Sequence, residues 1–119
     1  LIVRNYHRQI TSRRKTVYKL CVFIPENHLD LVKNAMFEAG AGKIGHYDHC
    51  SWQTLGQGQF RPLENSHPHI GEQGQIEVVN EYKVELVVEN HHIHAVIAAM
   101  KLAHPYEEPA FDVWQLAQI

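Results

Sequence analysis

Residues 17–24 read Val-Tyr-Lys-Leu-Cys-Val-Phe-Ile and run straight into Pro25. Tyr18, Leu20, Val22 and Ile24 fall on one side of an extended chain, with Val17, Lys19, Cys21 and Phe23 on the other. A stretch this apolar on both sides needs cover above and below, so it predicts a central strand. Cys21 is then most simply a small core residue. Leu29, Val32, Ala35, Met36 and Ala39 follow at helical spacing. Asn27 with Asp30 three residues on predicts an N-cap and a capping-box-like partner, and Gly40 a left-handed C-cap. His28 falls in the first turn of that helix.

The pattern then repeats with variations. Lys43 to Phe60 predicts a strand-like segment interrupted by glycine, anchored by Ile44, Tyr47, Trp52, Leu55 and Phe60. Its Gly56-Gln57-Gly58-Gln59-Phe60 run lacks the strand-to-helix turn that a phosphate loop requires, and a bulge or close backbone approach explains the glycines better. Arg61 to Gly74 reads as one long loop. Gln75 to Glu89 predicts a second long strand, with Val84, Leu86 and Val88 alternating against Lys83, Glu85 and Glu89. Asn90 is placed to cap a second amphipathic helix through Ile93, Val96, Ile97, Met100 and Ala103. Pro105 forces His104 out of the helical region, so the helix ends there. Ala110 to Leu116 predicts the last strand.

The order is β-α-β-β-α-β. Two right-handed crossovers would lay both helices on one face of an antiparallel sheet, an α+β ferredoxin-like sandwich. The opposite face, with Val17, Cys21, Phe23, Val87 and Trp52, reads as too apolar for water. An exposed patch of that kind marks an interface. A homo-oligomer, dimer or trimer or higher, is therefore the expected partner arrangement.

A chain of 119 residues supports one domain, expected over residues 17–119. The net charge of −2 is unevenly spread. Residues 1–16 carry Arg4, Arg8, Arg13, Arg14 and Lys15 with no acid, and read as a flexible or peripheral basic leader, a targeting segment or nucleic-acid arm being the other reading. The remainder holds six basic against thirteen acidic side chains, which makes it a poor partner for nucleic acid. No apolar run approaches the roughly 20 residues of a bilayer-spanning helix, so no membrane partner is expected. The two cysteines, Cys21 and Cys50, cannot form a disulfide framework, which makes a cytoplasmic setting the expectation.

Ten histidines are many for this length. They cluster at His46 and His49 beside Cys50, at His67 and His69, and at His91, His92 and His94. Imidazole with thiolate suits zinc or copper, although no second pair stands at zinc-finger spacing. Solvent-exposed histidine is the plainer account of each cluster. A sharper grouping joins distant segments. His104, Tyr106, Glu107 and Glu108 lie at a helix-to-strand rim, His28 opens the first helix, and Tyr47, His49 and Cys50 could reach the same region from this chain or a neighbour. Such a pocket would hold a small ligand, or a divalent metal on His104, His49 and Cys50. The alternative is a structural clasp, with His104 capping its helix in the charged form that the dipole favours.

From Tyr18 to Leu116 the chain resembles the small domain of the NIF-three family of dinuclear-metal proteins. The resemblance is carried by Tyr18-Lys19-Leu20, Val22-Phe23-Ile24-Pro25 with His28, and Ala39-Gly40-Ala41-Gly42 with Ile44-Gly45 and Tyr47. It continues through Cys50-Ser51, Gly56 to Phe60 with Pro62, Ile70-Gly71 with Gly74, and His104-Pro105-Tyr106-Glu107-Glu108 with Asp112. The last block is also similar to the His-Pro-Tyr-Glu signature of the CutA proteins. The resemblance implies a CutA-like or PII-like oligomeric module, binding a small ligand or divalent metal at subunit clefts without catalysis. It carries two alternatives: a specific zinc or copper protein, and a small metal-assisted, cyclohydrolase-like hydrolase acting on a nucleotide with Glu107 or Glu108 as base. The family's two-metal site belongs to a larger domain that has no counterpart in these residues.

Overall fold

The computed structural model describes residues 15–119. The basic leader therefore lies outside the described residues, apart from Lys15 and Thr16. Six main elements follow in order: β1 (Val17–Pro25), α1 (Leu29–Glu38), β2 (Trp52–Phe60), β3 (Glu77–Glu89), α2 (Ile93–Ala103) and β4 (Phe111–Gln115). The strands form one sheet in the order β2-β3-β1-β4, with every neighbouring pair antiparallel. This is the ferredoxin-like arrangement expected from the alternation.

Leu20, Val22 and Ile24 of β1 and Val84, Leu86 and Val88 of β3 point to the same side. There they meet Val32, Met36 and Phe37 of α1 and Ile93, Val96 and Met100 of α2 in one core. Removing these side chains from water, at roughly 1.5–3 kcal/mol for each large one, is what fixes both helices to that face.

Neither helix is entered through a side-chain cap. Each follows a 3-10 turn, Glu26–His28 and Asn90–His92, whose own carbonyls take the first helical N–H groups. The predicted caps are thus replaced by backbone bonds. The Asn27 Oδ1 instead meets the His28 Nδ1 at 3.0 Å. Asn90 donates its N–H to the Thr16 carbonyl and accepts the Tyr18 hydroxyl at 3.2 Å, tying the start of β1 to the end of β3. That side-chain bond is exposed, so Tyr18→Phe is expected to cost no more than about 1 kcal/mol in a urea unfolding experiment. A larger loss would mean that the hydroxyl holds more than this one contact.

Residues 43–51 are not strand. Gly40, Gly42 and Gly45 take φ of 116°, 78° and 56°, which turns the chain repeatedly, leaving one isolated bridge between Ile44 and Tyr47. Alternation, and with it β2, begins only at Trp52.

The helix-free face is more mixed than its apolar residues suggested. Cys21 and Val87 are already buried within one chain, and Lys19, Lys83, Glu85 and Asp112 lie around the Cys21 thiol and push its pKa both ways. Burial dominates and raises it, so Cys21 is an inert core thiol. Trp52 and Trp114 remain about half exposed, at 52% and 49%.

One feature of the register places the site. β1 pairs with Glu81–Glu89 of β3, whereas β2 pairs with Glu77–Glu85. The β2–β3 hairpin therefore runs past the end of β1 at Pro25, and the loop that joins its strands lies beside the turn that follows α2.

Candidate ligand-binding site

α2 ends at Ala103, and His104 takes φ −71° and ψ 136°, the extended geometry that a following proline imposes. Its backbone N–H still donates to the Met100 carbonyl at 2.9 Å. The side chain turns inward and is only 6% exposed. Both ring nitrogens are engaged: Nε2 lies 2.8 Å from the Phe23 carbonyl, and Nδ1 lies 3.1 Å from the Tyr106 backbone N–H. An amide N–H can only donate, so Nδ1 is the acceptor and Nε2 carries the proton. Burial holds the pKa below the usual histidine value, partly offset by the Phe23 carbonyl, and His28 and His69 lower it further. The charged, dipole-stabilised form that the clasp alternative gave this histidine is thus the disfavoured one.

The bond to His104 turns Tyr106 across the top of the sheet. Its ring lies 5.0 Å from that of His104, 5.9 Å from Phe60 and 6.3 Å from His69. Its hydroxyl is shielded from solvent and has no hydrogen-bond partner among the described residues. Burial raises its pKa, as does the nearby Glu81 carboxylate. Glu81 projects from β3 on the helix-free side, and its carboxyl lies over Gly58, where any side chain on β2 would collide with it. Burial raises the Glu81 pKa in turn.

The hairpin loop closes the arrangement. The His67 N–H donates to Glu107 Oε1 at 3.1 Å, and the His69 ring sits edge-on to His28 at 5.6 Å. Within the loop, Gly74 N–H bonds the Pro62 carbonyl at 2.7 Å and Gln73 Nε2 bonds the Ser66 carbonyl at 3.1 Å. Between loop and turn lies a cavity of about 630 Å³, floored by Phe23, Phe60 and Tyr106 and edged by Glu81, Glu107 and Glu108. This volume falls within the usual range for small-molecule sites.

His28, His104, Tyr106, Glu107 and Glu108 are therefore gathered at one end of the sheet. Tyr47, His49 and Cys50 are not. Their loop is fixed where Gly42 N–H bonds the Val87 carbonyl and Cys50 N–H bonds the Gly42 carbonyl, both at 2.8 Å. Val87 faces Lys19, and Lys19 stands four residues along β1 from Phe23, about 13 Å at roughly 3.3 Å per residue. Tyr47 is 62% exposed, His49 packs on Phe37 at 4.7 Å, and Cys50 is buried with Sγ 3.5 Å from the Asp48 carbonyl. Within one chain, His104, His49 and Cys50 do not converge as a metal set. Among the described residues, no three His, Cys, Asp or Glu side chains are placed to hold a metal ion. No helix among them is long and apolar enough to cross a membrane.

Glu81, Phe60, Arg61 and His69 join the site without having been singled out for it. The one local sign was Gly58, which leaves room on the strand opposite an acidic side chain.

No family model matches the chain. A GTP cyclohydrolase 1 type 2 homolog of Halalkalibacterium halodurans is 47% identical over 103 residues, covering 87% of this chain and 28% of that protein. The homolog of the same name from Bacillus subtilis is 43% identical over 100 residues, covering 84% and 27%. The chain thus spans just over a quarter of the length of these curated relatives. Among solved structures, a Bacillus cereus protein related to NIF3 superposes with a TM-score of 0.77 at 38% identity, over 90% of this chain and 27% of that one. CutA from Xylella fastidiosa superposes with a TM-score of 0.63 over 86% and 85% of the two chains, and at 19% identity this shows the fold alone. The chain belongs to the NIF3-related family, in which it corresponds to a CutA-like segment with the ferredoxin-like fold.

Proposed function

We propose that the chain is a non-catalytic, homo-oligomeric CutA-like module that binds a small ligand in the cavity between the hairpin loop and the His104–Glu108 turn. The observation that carries the reading is Tyr106 in the wall of that cavity, its hydroxyl shielded from solvent and unpaired among the described residues. An unpaired buried hydroxyl costs about 1–3 kcal/mol, and a ligand that supplies the missing partner recovers it. The half-exposed Trp52 and Trp114, interspersed with Lys19, Lys83, Glu85 and Asp112, support a face that meets copies of itself through apolar and complementary charged contacts.

The states of the His104, Cys21 and Cys50 side chains support binding rather than turnover. The His104 imidazole has both nitrogens committed, and Cys21 and Cys50 are buried thiols. The cyclohydrolase name belongs to relatives of which this chain covers just over a quarter, and zinc or copper bound within one chain would need donors that the described residues keep apart.

Light scattering after size exclusion is expected to give the mass of two or three copies. A monomer at micromolar concentration would sink the assembly. For the cavity, the protein labelled with fluorotyrosine is expected to show a Tyr106 resonance, assigned through Tyr106→Phe, that shifts with members of a mixed set of cationic, anionic and neutral fragments. A Tyr106 signal unmoved by the whole set would end the binding reading.

A further inference from the structure

We infer that the cavity selects a positively charged organic ligand, an amine or guanidinium carried on an apolar or aromatic body; this rests on the proposal that the cavity binds a small ligand at all. Among the described residues that line it are four carboxylates, Glu64, Glu81, Glu107 and Glu108, against one cationic side chain, Arg61. The ion pairs among the described residues are Lys15 with Glu89 and the exposed His49 with Asp48, so none of the four has a described cationic side chain as its ion-pair partner. Glu107 accepts one backbone N–H, from His67. A phosphate or carboxylate entering here would be repelled from most directions. An ammonium would find acceptors instead, in the Glu81 carboxylate and the lone pairs of the Tyr106 hydroxyl.

The rings supply the second half of the fit. Phe60 and Tyr106 stand 5.9 Å apart, tilted at 57°, and Phe23 lines the same space. Aromatic faces attract cations, and more strongly where water is excluded. A bare metal ion would leave those faces unused, and among the described residues no three donor side chains are placed to hold one. A volume of about 630 Å³ also exceeds what a lone ammonium needs, which calls for a body that covers apolar wall.

Glu81 gives the inference its sharpest consequence. Burial disfavours its charged form, so in the empty protein the carboxylate works against stability at neutral pH. A cation arriving beside it would offset that cost. Glu81→Gln is therefore expected to raise, not lower, the melting temperature of the empty protein while removing the preference for charge.

Three ligands that share one body and differ in the head group test this: tryptamine, its neutral alcohol tryptophol, and the anion indole-3-acetate, each titrated calorimetrically into the full chain. Tryptamine is expected to bind about tenfold or more tighter than tryptophol, and indole-3-acetate more weakly than either. Glu81→Gln should bring tryptamine and tryptophol to within about twofold, and Tyr106→Phe should weaken tryptamine without lowering the melting temperature. Equal or tighter binding of tryptophol or indole-3-acetate overturns the charge preference and leaves the cavity as a ligand site. Failure of all three to bind overturns the inference as well, and the Tyr106 fluorine signal with the mixed fragments then decides separately whether the cavity binds anything.

Discussion

His104→Ala is expected to cost about 2–4 kcal/mol of unfolding free energy, far more than its place in a turn would suggest. Phe23 lies one residue past the last pair between β1 and β4, Val22 with Phe111. Its N–H still donates to the Ala110 carbonyl at 3.1 Å, but its own carbonyl is met by the imidazole Nε2 at 2.8 Å. The ring thus continues the ladder where β4 has not yet begun. Its other nitrogen fixes the Tyr106 N–H. Alanine would strand a donor and an acceptor in a buried place and open a void the size of an imidazole. His104→Gln can offer an amide N–H to Phe23 and an amide oxygen to Tyr106, so it should recover part of the loss.

The same geometry sets a pH dependence. The folded protein holds His104 below its ordinary value of 6.5, whereas the unfolded chain does not, so the unfolded state binds more protons as pH falls through that region. Stability from this group is complete above the unfolded value and is lost as pH drops towards the folded one. Protonated Nδ1 could no longer accept the Tyr106 N–H, and the turn that floors the cavity would loosen. Urea unfolding at several pH values below 7 should show a steeper decline for the parent than for His104→Gln. Parallel declines would mean that the acid sensitivity lies elsewhere, and an alanine variant as stable as the parent would remove His104 from the clasp altogether.

The strands and helices were legible because burial is written in the spacing: Leu20, Val22 and Ile24 alternate into the core, and Val32, Met36, Val96 and Met100 recur at helical intervals to meet them. Pro105 likewise announced a helix end that the backbone confirms. The caps were misread because Asn27 and Asn90 have the right chemistry, yet the 3-10 turns satisfy the helix starts with backbone alone. The position of Tyr47, His49 and Cys50 was legible in principle. In a β-α-β-β-α-β chain the connections alternate ends, so the α1–β2 loop returns beside the start of β1, while His28, the β2–β3 loop and the α2–β4 turn gather at its finish. Glu81 was not legible. In sequence it is one more acid on the wet side of a strand, and only the staggered register and the folding back of residues 61–76 turn it into a cavity wall.

Gly42→Ala should be damaging at the opposite end of the molecule, costing about 3 kcal/mol or more. Gly42 has φ of 78°, and a Cβ there would stand 2.8 Å from the Cys50 carbonyl oxygen and 2.9 Å from the Phe37 ring. The backbone cannot slide away, because its N–H is bonded to the Val87 carbonyl and its carbonyl to the Cys50 N–H, each at 2.8 Å. Relief would have to break one of these, and with it the anchorage of the α1–β2 loop on β3. Gly45 is the internal control: it also has a positive φ, 56°, but nothing lies within 4 Å of its absent Cβ. Alanine at 45 should then pay only the backbone preference, about 1–2 kcal/mol, so the gap between the two variants in urea unfolding measures the collision with Cys50 and Phe37. Equal losses at both positions would show that this loop yields freely, and that the bonds from Gly42 to Val87 and Cys50 do not hold it against the sheet.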